Sequence, residues 1–181
     1  SPAALQDFRQ RHQLGKRRLL LSVGRLTTRK GLREFVQQAL PAIVQAAPDT
    51  LLVVVGDAPA DSLHASVQTR ASIQAVADAA GIGQHLRFLG VITDPQELAC
   101  AYESATLHIC PVRHLPDDPE GFGMVAIEAA AHGLPTVAFA TGGIVDAVAE
   151  GQSGRLIAPG DYLSLAQAAL QMLADGPGAW Q

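Results

Sequence analysis

The sequence predicts a doubly wound α/β fold, in which helices cover both faces of a parallel β-sheet. Short apolar runs alternate about six times with segments of helical spacing. The runs are apolar throughout rather than at every second residue, as in strands that are buried on both faces. Hydrophobic residues make up 48% of the 181 residues and charged residues 17%, which excludes a disordered chain and supports a sizeable core.

Each element follows from the local sequence. The Ala- and Gln-rich segment 3–14 predicts a first helix, and the apolar run Leu51–Val55 before Gly56 predicts the clearest strand. Helical spacing over 31–47 includes Pro41, which should kink or divide that helix. Strands are predicted at 19–23, 51–55, 86–89, 105–110, 135–140 and 154–157, and the other helices at 62–80, 95–104, 122–132, 143–149 and 161–174.

The domain organisation is predicted to be simple. A lead-in helix and connection at 1–18 precedes one folding unit at 19–174, and a tail follows at 175–181. Because the sequence starts with Ser-Pro, with neither an initiator Met nor a signal peptide, we expect a piece of a longer protein. No apolar run approaches the length of a membrane span, and Cys100 and Cys110 predict buried free thiols in an intracellular domain.

Charge is distributed unevenly along the chain. Residues 1–33 contain nine Lys or Arg and one acid, whereas the rest contains four basic and sixteen acidic residues. This asymmetry indicates an anionic partner near the N-terminus, with a solvated tail as the alternative for 9–18. The basic residues lack interleaved aromatics, which argues against nucleic acid. His and Cys residues show no ligand spacing, so no metal site is predicted, and His108 within a strand predicts a satisfied core side chain.

The first candidate site follows the first strand, because ligands of such sheets bind beyond the carboxyl ends of the strands. Gly24-Arg25 and Lys30 place fixed cations between a strand end and a helix start, where they can neutralise a diphosphate. The segment has neither the GxGxxG spacing nor the order of a P-loop. A solvated turn is the alternative interpretation.

The second candidate site carries two carboxylates. Glu120 precedes Gly121-Phe122-Gly123, and Glu128 follows among apolar residues, where a carboxylate needs a partner. Two carboxylates at different heights could hold the hydroxyl pairs of a ribose and a hexose, and the glycines would let backbone N–H groups approach an oxyanion. A capping Glu120 and a structural Glu128 are the alternative. Thr141-Gly142-Gly143 opens a third, weaker backbone-donor site.

Together these segments resemble the donor-binding C-terminal half of the family-four retaining glycosyltransferases, which have the GT-B architecture and a Rossmann-like donor domain. The resemblance covers nearly all of 19–174. It is carried most strongly by Glu120-Gly-Phe-Gly-Met-Val-Ala-Ile-Glu128, which matches the Glu-x7-Glu pattern of the family. The other matching segments are Ser22–Leu26 with Arg29–Gly31, Val55–Asp57, Phe88–Gly90, Ala130–Val137, Thr141–Gly143 and Gly151–Leu173.

The resemblance implies transfer of a sugar from a UDP- or GDP-type donor to a growing glycan or lipid, with retention at the anomeric carbon. Arg25 and Lys30 would hold the diphosphate and stabilise it as leaving group. Glu120 would contact the sugar, and Glu128 would accept hydrogen bonds from the ribose hydroxyls. The nucleotide sugar is a substrate, and neither a cofactor nor a metal is required. The turn at Leu89 and Gly90 would lie near the base. The other donor-binding residues would be Gly24, Gly121, Phe122, Gly123, Met124, Val125, Gly142 and Gly143.

The resemblance further implies an N-terminal acceptor-binding domain of the same enzyme. The isolated chain is therefore expected to bind donor without efficient transfer, and to be cytoplasmic, with contact to the inner membrane face made only through that domain. Two departures from the family pattern concern Asp146, where the family commonly has Glu, and the long loop Val112–Pro119.

Two other functions stay open from the residues alone. One is a nucleotide-sugar-binding module without catalysis, and the other is a different GT-B enzyme, such as a nucleotide-sugar epimerase. A phosphorylase would need a lysine that carries pyridoxal phosphate, and neither Lys16 nor Lys30 suits that role.

Overall fold

The computed structural model describes residues 1–60, 67–119 and 121–180. At its centre lies a six-stranded sheet in which every neighbouring pair of strands is parallel. The strands are β1 (Arg18–Val23), β2 (Thr50–Val55), β3 (Leu86–Gly90), β4 (Leu107–Cys110), β5 (Thr136–Phe139) and β6 (Gly154–Ile157). Their order across the sheet is β3-β2-β1-β4-β5-β6, the order of a Rossmann fold, so the predicted fold class is confirmed.

Helices cover both faces of the sheet. One face carries α2 (Leu32–Gln38), α3 (Leu40–Ala46), α4 (Arg70–Ala79) and α8 (Tyr162–Asp175). The other face carries α1 (Pro2–Arg11), α5 (Pro95–Ser104), α6 (Met124–Ala131) and α7 (Ile144–Ala147). In β1, Leu20 packs into the first core, whereas Leu19 and Leu21 pack into the second. Burial on both sides explains why the strands are apolar at every residue.

Two helix predictions have different outcomes. The segment 31–47 is divided at Ala39 into α2 and α3, next to Pro41, as its sequence predicts. The helix predicted over 62–80 is wrong in its start, because residues 67–69 are not helical and α4 begins at Arg70. Residues 61–66 lie outside the described residues. Gln68 is buried and donates from Nε2 to Glu34 at 2.7 Å, so the segment before α4 is fastened to α2 instead of continuing the helix.

The basic residues near the N-terminus bind protein acceptors. Arg9 donates to the carbonyl oxygens of Gly15 at 2.9 Å and Ser104 at 2.7 Å, which holds α1 against α5. Phe8 of α1 is fully buried in the core beneath. The other contacts are Arg11 with Asp7 and Glu97, Arg17 with the Gln84 carbonyl, and Arg18 with Asp49. The segment 9–18 is therefore part of the folded domain and not a loose tail, although Arg11 and Lys16 are exposed. The contacts with protein acceptors account for Arg9, Arg11, Arg17 and Arg18 without an anionic ligand.

The two cysteines of the chain are not joined to each other. Neither Cys100 nor Cys110 forms a disulfide; Cys110 is buried as expected, whereas Cys100 is partly exposed. Within the described ranges, no helix has the length and apolar character needed to cross a membrane.

Candidate functional site

A crevice opens between the carboxyl ends of β1 and β4. β1 leads to α2 on one face of the sheet, whereas β4 leads to α6 on the opposite face, so the chain parts at this point. Such a switch point is where ligands bind in open α/β sheets. The crevice is lined by four residues of the predicted donor site, Gly24, Arg25, Lys30 and Val125, together with Pro111 and Val112 of the segment after β4.

Glycine is required directly after β1 and directly after β2, at Gly24 and Gly56. Gly24 has a φ of +138°, and its N–H donates to the Val55 carbonyl at 2.9 Å. Gly56 has a φ of +127°, and a Cβ on it would lie 1.9 Å from the Gly24 carbonyl oxygen. The backbones therefore touch where β1 and β2 end, and the sequence pairs a glycine with a glycine there.

This turn places Lys30 over the strand end. A Cβ on Gly24 would lie 3.6 Å from Lys30 Cε and 4.0 Å from Nζ, so the lysine side chain lies across the turn. Arg25 is exposed on the same turn. Lys30 and Arg25 thus stand at the mouth of the crevice as two cations, which is the arrangement that favours a diphosphate.

The loop that carries Lys30 is tied to the segment after β4. The Arg113 N–H donates to the Arg29 carbonyl at 2.8 Å, and Arg29 Nη1 donates to Asp118 Oδ1 at 2.8 Å. A Cβ on Gly31 would lie 2.4 Å from the Pro111 carbonyl oxygen, so the two segments are in close contact. Glu120, the predicted sugar contact, follows this segment and lies outside the described residues.

The start of α6 forms the opposite side of the crevice. Gly123, with φ +62°, precedes the first helical residue, and Phe122 and Met124 are exposed at 80% and 56%. A Cβ on Gly143 would lie 1.8 Å from the Gly121 carbonyl oxygen, so the loop before α7 packs directly on the loop before α6. The predicted glycines 121, 123, 142 and 143 therefore lie together, beside the positive end of the α6 dipole.

The remaining predicted donor-site residues are Leu89 and Gly90 at the end of β3 and Glu128 in α6. Leu89 and Gly90 end β3, which is separated from β1 by β2, and the Gly90 carbonyl accepts from the Gly56 N–H at 2.7 Å. Glu128 lies in the second turn of α6 and is exposed. Its Oε2 accepts a hydrogen bond of 2.8 Å from the hydroxyl of Tyr102 on α5, so Glu128 has the partner that the sequence predicts, although its carboxylate is not buried.

Tyr102 is a neighbour of the site that the sequence reasoning missed, and His108, expected as a satisfied core side chain, also lines the crevice. Burial, followed by the hydrogen bond to Glu128, raises the pKa of Tyr102 well above its usual range, so the hydroxyl remains a donor. Burial and the nearby charge of Lys30 lower the pKa of His108 to about 3, so its ring is neutral. His108 Nδ1 lies 3.0 Å from Thr136 Oγ1, but the buried Nε2 has no partner among the described residues, so the expected satisfied side chain is only half satisfied.

No group of three or more His, Cys, Asp or Glu side chains in the described ranges could hold a metal ion. Asp146 lies in α7 and is exposed, and His114 is an exposed residue of the segment after β4.

Comparison with known proteins places this geometry in a family. The family described as "Glycosyl transferases group 1" matches residues 17–175. The chain is 32% identical over 176 residues to the GDP-mannose-dependent alpha-(1-6)-phosphatidylinositol monomannoside mannosyltransferase of Mycolicibacterium smegmatis, a match that covers 96% of this chain and 43% of that protein. The chain thus spans less than half of this curated relative.

Two solved structures share the fold. Anabaena HepE in complex with UDP-glucose matches with a TM-score of 0.77 and 26% identity over 97% of this chain and 44% of that one. The C-terminal domain of a group 1 glycosyl transferase family protein from Francisella tularensis matches with a TM-score of 0.72 and 24% identity, over 94% and 84% of the two chains. The second likeness concerns the fold alone.

Proposed function

Because the chain belongs to the group 1 glycosyltransferases, we propose that it is the donor-binding half of a retaining enzyme that moves a sugar from a nucleoside diphosphate sugar to an acceptor. The observation that carries this proposal is the position of Lys30 across Gly24, at the crevice where β1 and β4 part. The resemblance noted in the sequence is confirmed at the level of the family.

The leaving diphosphate is the centre of the proposed mechanism. As the bond to the anomeric carbon breaks, negative charge grows on the diphosphate oxygens. Arg25 and Lys30 stand at the crevice before the reaction starts, and the α6 N-terminus adds the positive end of a helix dipole. Fixed positive charge stabilises the departing group more than the bound donor, which lowers the barrier.

The nucleoside is proposed to lie along the carboxyl edge on the α5 and α6 side. The Glu128 carboxylate accepts from the ribose hydroxyls, as a charged acceptor suits two neutral donors. The turn at Leu89 and Gly90 lies near the base. Backbone groups of 121–125 and of Gly142-Gly143 are proposed to line the donor. These two loops are in direct contact, because a Cβ on Gly143 would clash with the Gly121 carbonyl oxygen.

The sugar and the acceptor call for groups beyond the described residues. Glu120 is proposed to contact the sugar. A separate N-terminal domain of the same enzyme is proposed to hold the acceptor, a growing glycan or lipid, in the cytoplasm and, where it meets a membrane, at the inner face. The chain alone should then bind donor but transfer no sugar from UDP-glucose or GDP-mannose, as a product assay would measure.

The donor base and the absence of a metal are part of the same proposal. The printed names point to GDP-mannose in the mycolicibacterial relative and to UDP-glucose in HepE, so both bases are candidates for this chain. Two side-chain cations can supply the charge that a divalent ion would otherwise provide, and binding should therefore be the same with EDTA as with Mg²⁺.

Titration calorimetry of the 181-residue chain with UDP, GDP and ADP tests the proposal. We expect saturable binding of at least one of them at one site. The corresponding nucleoside, which lacks the diphosphate, should bind more weakly because it loses the contacts with Arg25 and Lys30. Saturation by none of the three would refute the proposed function.

A further inference from the structure

Tyr102 is a buried side chain whose only polar atom reaches an exposed carboxylate. The residue is 1% exposed, and its ring packs in the core beneath α5 and α6. It stacks on the ring of His132 with 5.2 Å between centroids and 3° between planes, and meets His108 at 6.4 Å and 61°. These contacts from two sides fix the ring, and therefore fix the position of the hydroxyl.

The hydroxyl serves one acceptor. It donates to Glu128 Oε2 at 2.8 Å, and its raised pKa keeps the proton on the tyrosine. A carboxylate offers about four acceptor positions on its two oxygens, so one bond to Oε2 leaves most of the acceptor capacity of Glu128 for a ligand. Among the described residues, no second hydrogen bond to the Glu128 carboxylate competes for that capacity.

An exposed glutamate without such a partner would rotate among several rotamers. Ordering a long side chain on binding weakens association by roughly two- to tenfold in Kd. A rigid donor that holds one rotamer in the free protein removes part of that cost. The bond also spans two elements, since Tyr102 belongs to α5 and Glu128 to α6.

We propose that Tyr102 is a positioning residue, whose hydroxyl holds the Glu128 carboxylate in the orientation that receives the ribose hydroxyls of a nucleoside diphosphate. This inference rests on the proposed function, because it takes Glu128 as the ribose contact. It assigns no chemistry to Tyr102 itself, which acts through Glu128 alone.

The test compares a nucleoside diphosphate with its 2′,3′-dideoxy counterpart, both in Tyr102→Phe and in the unaltered chain. Of UDP, GDP and ADP, the one that binds most tightly is used. Hydrogen bonds to a charged group make the unaltered chain prefer the ribose form by about tenfold or more. In Tyr102→Phe that preference should fall roughly fivefold, because the variant must order the long Glu128 side chain when the ribose binds, with the Kd of the dideoxy form unchanged.

Three further variants separate positioning from structure. Tyr162→Phe removes the hydroxyl of the only other tyrosine, on α8, and should leave both Kd values unchanged. Glu128→Gln should lose the ribose preference, and adding Tyr102→Phe to it should change nothing more, because residues that act through one another are not additive. Thermal unfolding of Tyr102→Phe checks the fold, since the phenyl ring keeps the stacking on His132.

The possible outcomes are distinct. An unchanged ribose preference in Tyr102→Phe overturns the inference and leaves the donor function intact. An equal loss of affinity for both ligand forms also overturns it, because it indicates a structural role. If the unaltered chain binds UDP, GDP or ADP without any ribose preference, the Glu128 assignment and the inference both fail. If it binds none of the three, the proposed function falls as well.

Discussion

Replacing Lys30 by Ala should weaken the binding of a nucleoside diphosphate strongly and leave the binding of the nucleoside nearly unchanged. Lys30 Nζ lies at the strand end, 4.0 Å from where a Cβ on Gly24 would be. A phosphate oxygen that forms an ion pair with Nζ would lie within about 4 Å of it, and two unit charges about 4 Å apart attract by about 4 kcal/mol at an effective dielectric constant of about 20. Since Lys30 is only partly buried, solvent reduces this to roughly 2–3 kcal/mol, or about 30- to 150-fold in Kd.

Calorimetric titration of UDP, GDP and the nucleosides measures the effect, and the chain offers a matched control. Lys16 is the only other lysine and is exposed on the segment between α1 and β1. Lys16→Ala removes the same net charge but should leave both affinities within about twofold, because long-range surface charge is screened by salt. The reasoning is refuted if Lys30→Ala binds the diphosphate as the unaltered chain does, or if Lys16→Ala loses as much affinity.

Two further predictions concern stability. Gly56→Ala should lower the free energy of unfolding, measured by urea titration, by roughly 2–6 kcal/mol, since strained backbone and overpacking contribute about 1–3 kcal/mol each. Gly151, at φ +75° with open space around it, is the control, and Gly151→Ala should lower the same free energy by only about 1–2 kcal/mol. Equal losses would contradict the clash with Gly24. His108, whose folded pKa of about 3 lies below the usual 6.5, should bind a proton first in the unfolded chain, so stability is complete above pH 6.5 and falls as the pH decreases toward 3. His108→Phe should flatten this pH dependence of the urea midpoint, and an unchanged slope would speak against it.

Strands were easier to predict than helix starts, for a physical reason. The sequence predicts β2 at 51–55, and the strand lies at Thr50–Val55. A short apolar run that ends at a glycine forms a buried strand more readily than any other element in a chain of this composition. The start of α4 depends on Gln68, which is buried by bonds to Arg33 and Glu34 on another helix. No local propensity reports a contact that is 34 or 35 residues away in sequence.

The candidate site shows the same division. The apolar neighbours of Glu128 in the sequence predict a partner for it, although the carboxylate is exposed in the structure and burial does not require one. That the partner is Tyr102 follows only from the packing of α5 against α6 in space. Likewise, the number of basic residues near the N-terminus indicates an anionic ligand. In the structure, however, Arg9 donates to main-chain oxygens and Arg18 pairs with Asp49, and only folding brings these acceptors close.

The attachment of α1 bears on the construction of chimeric enzymes. Phe8 and Leu14 are both fully buried, and Arg9 bridges to the end of α5. A junction placed at the first strand, where the apolar run begins, would strip two side chains from the core and leave the Ser104 carbonyl without its donor. A junction placed before α1 carries the helix with the donor domain, and exchange of donor specificity between related enzymes should succeed more often at that boundary.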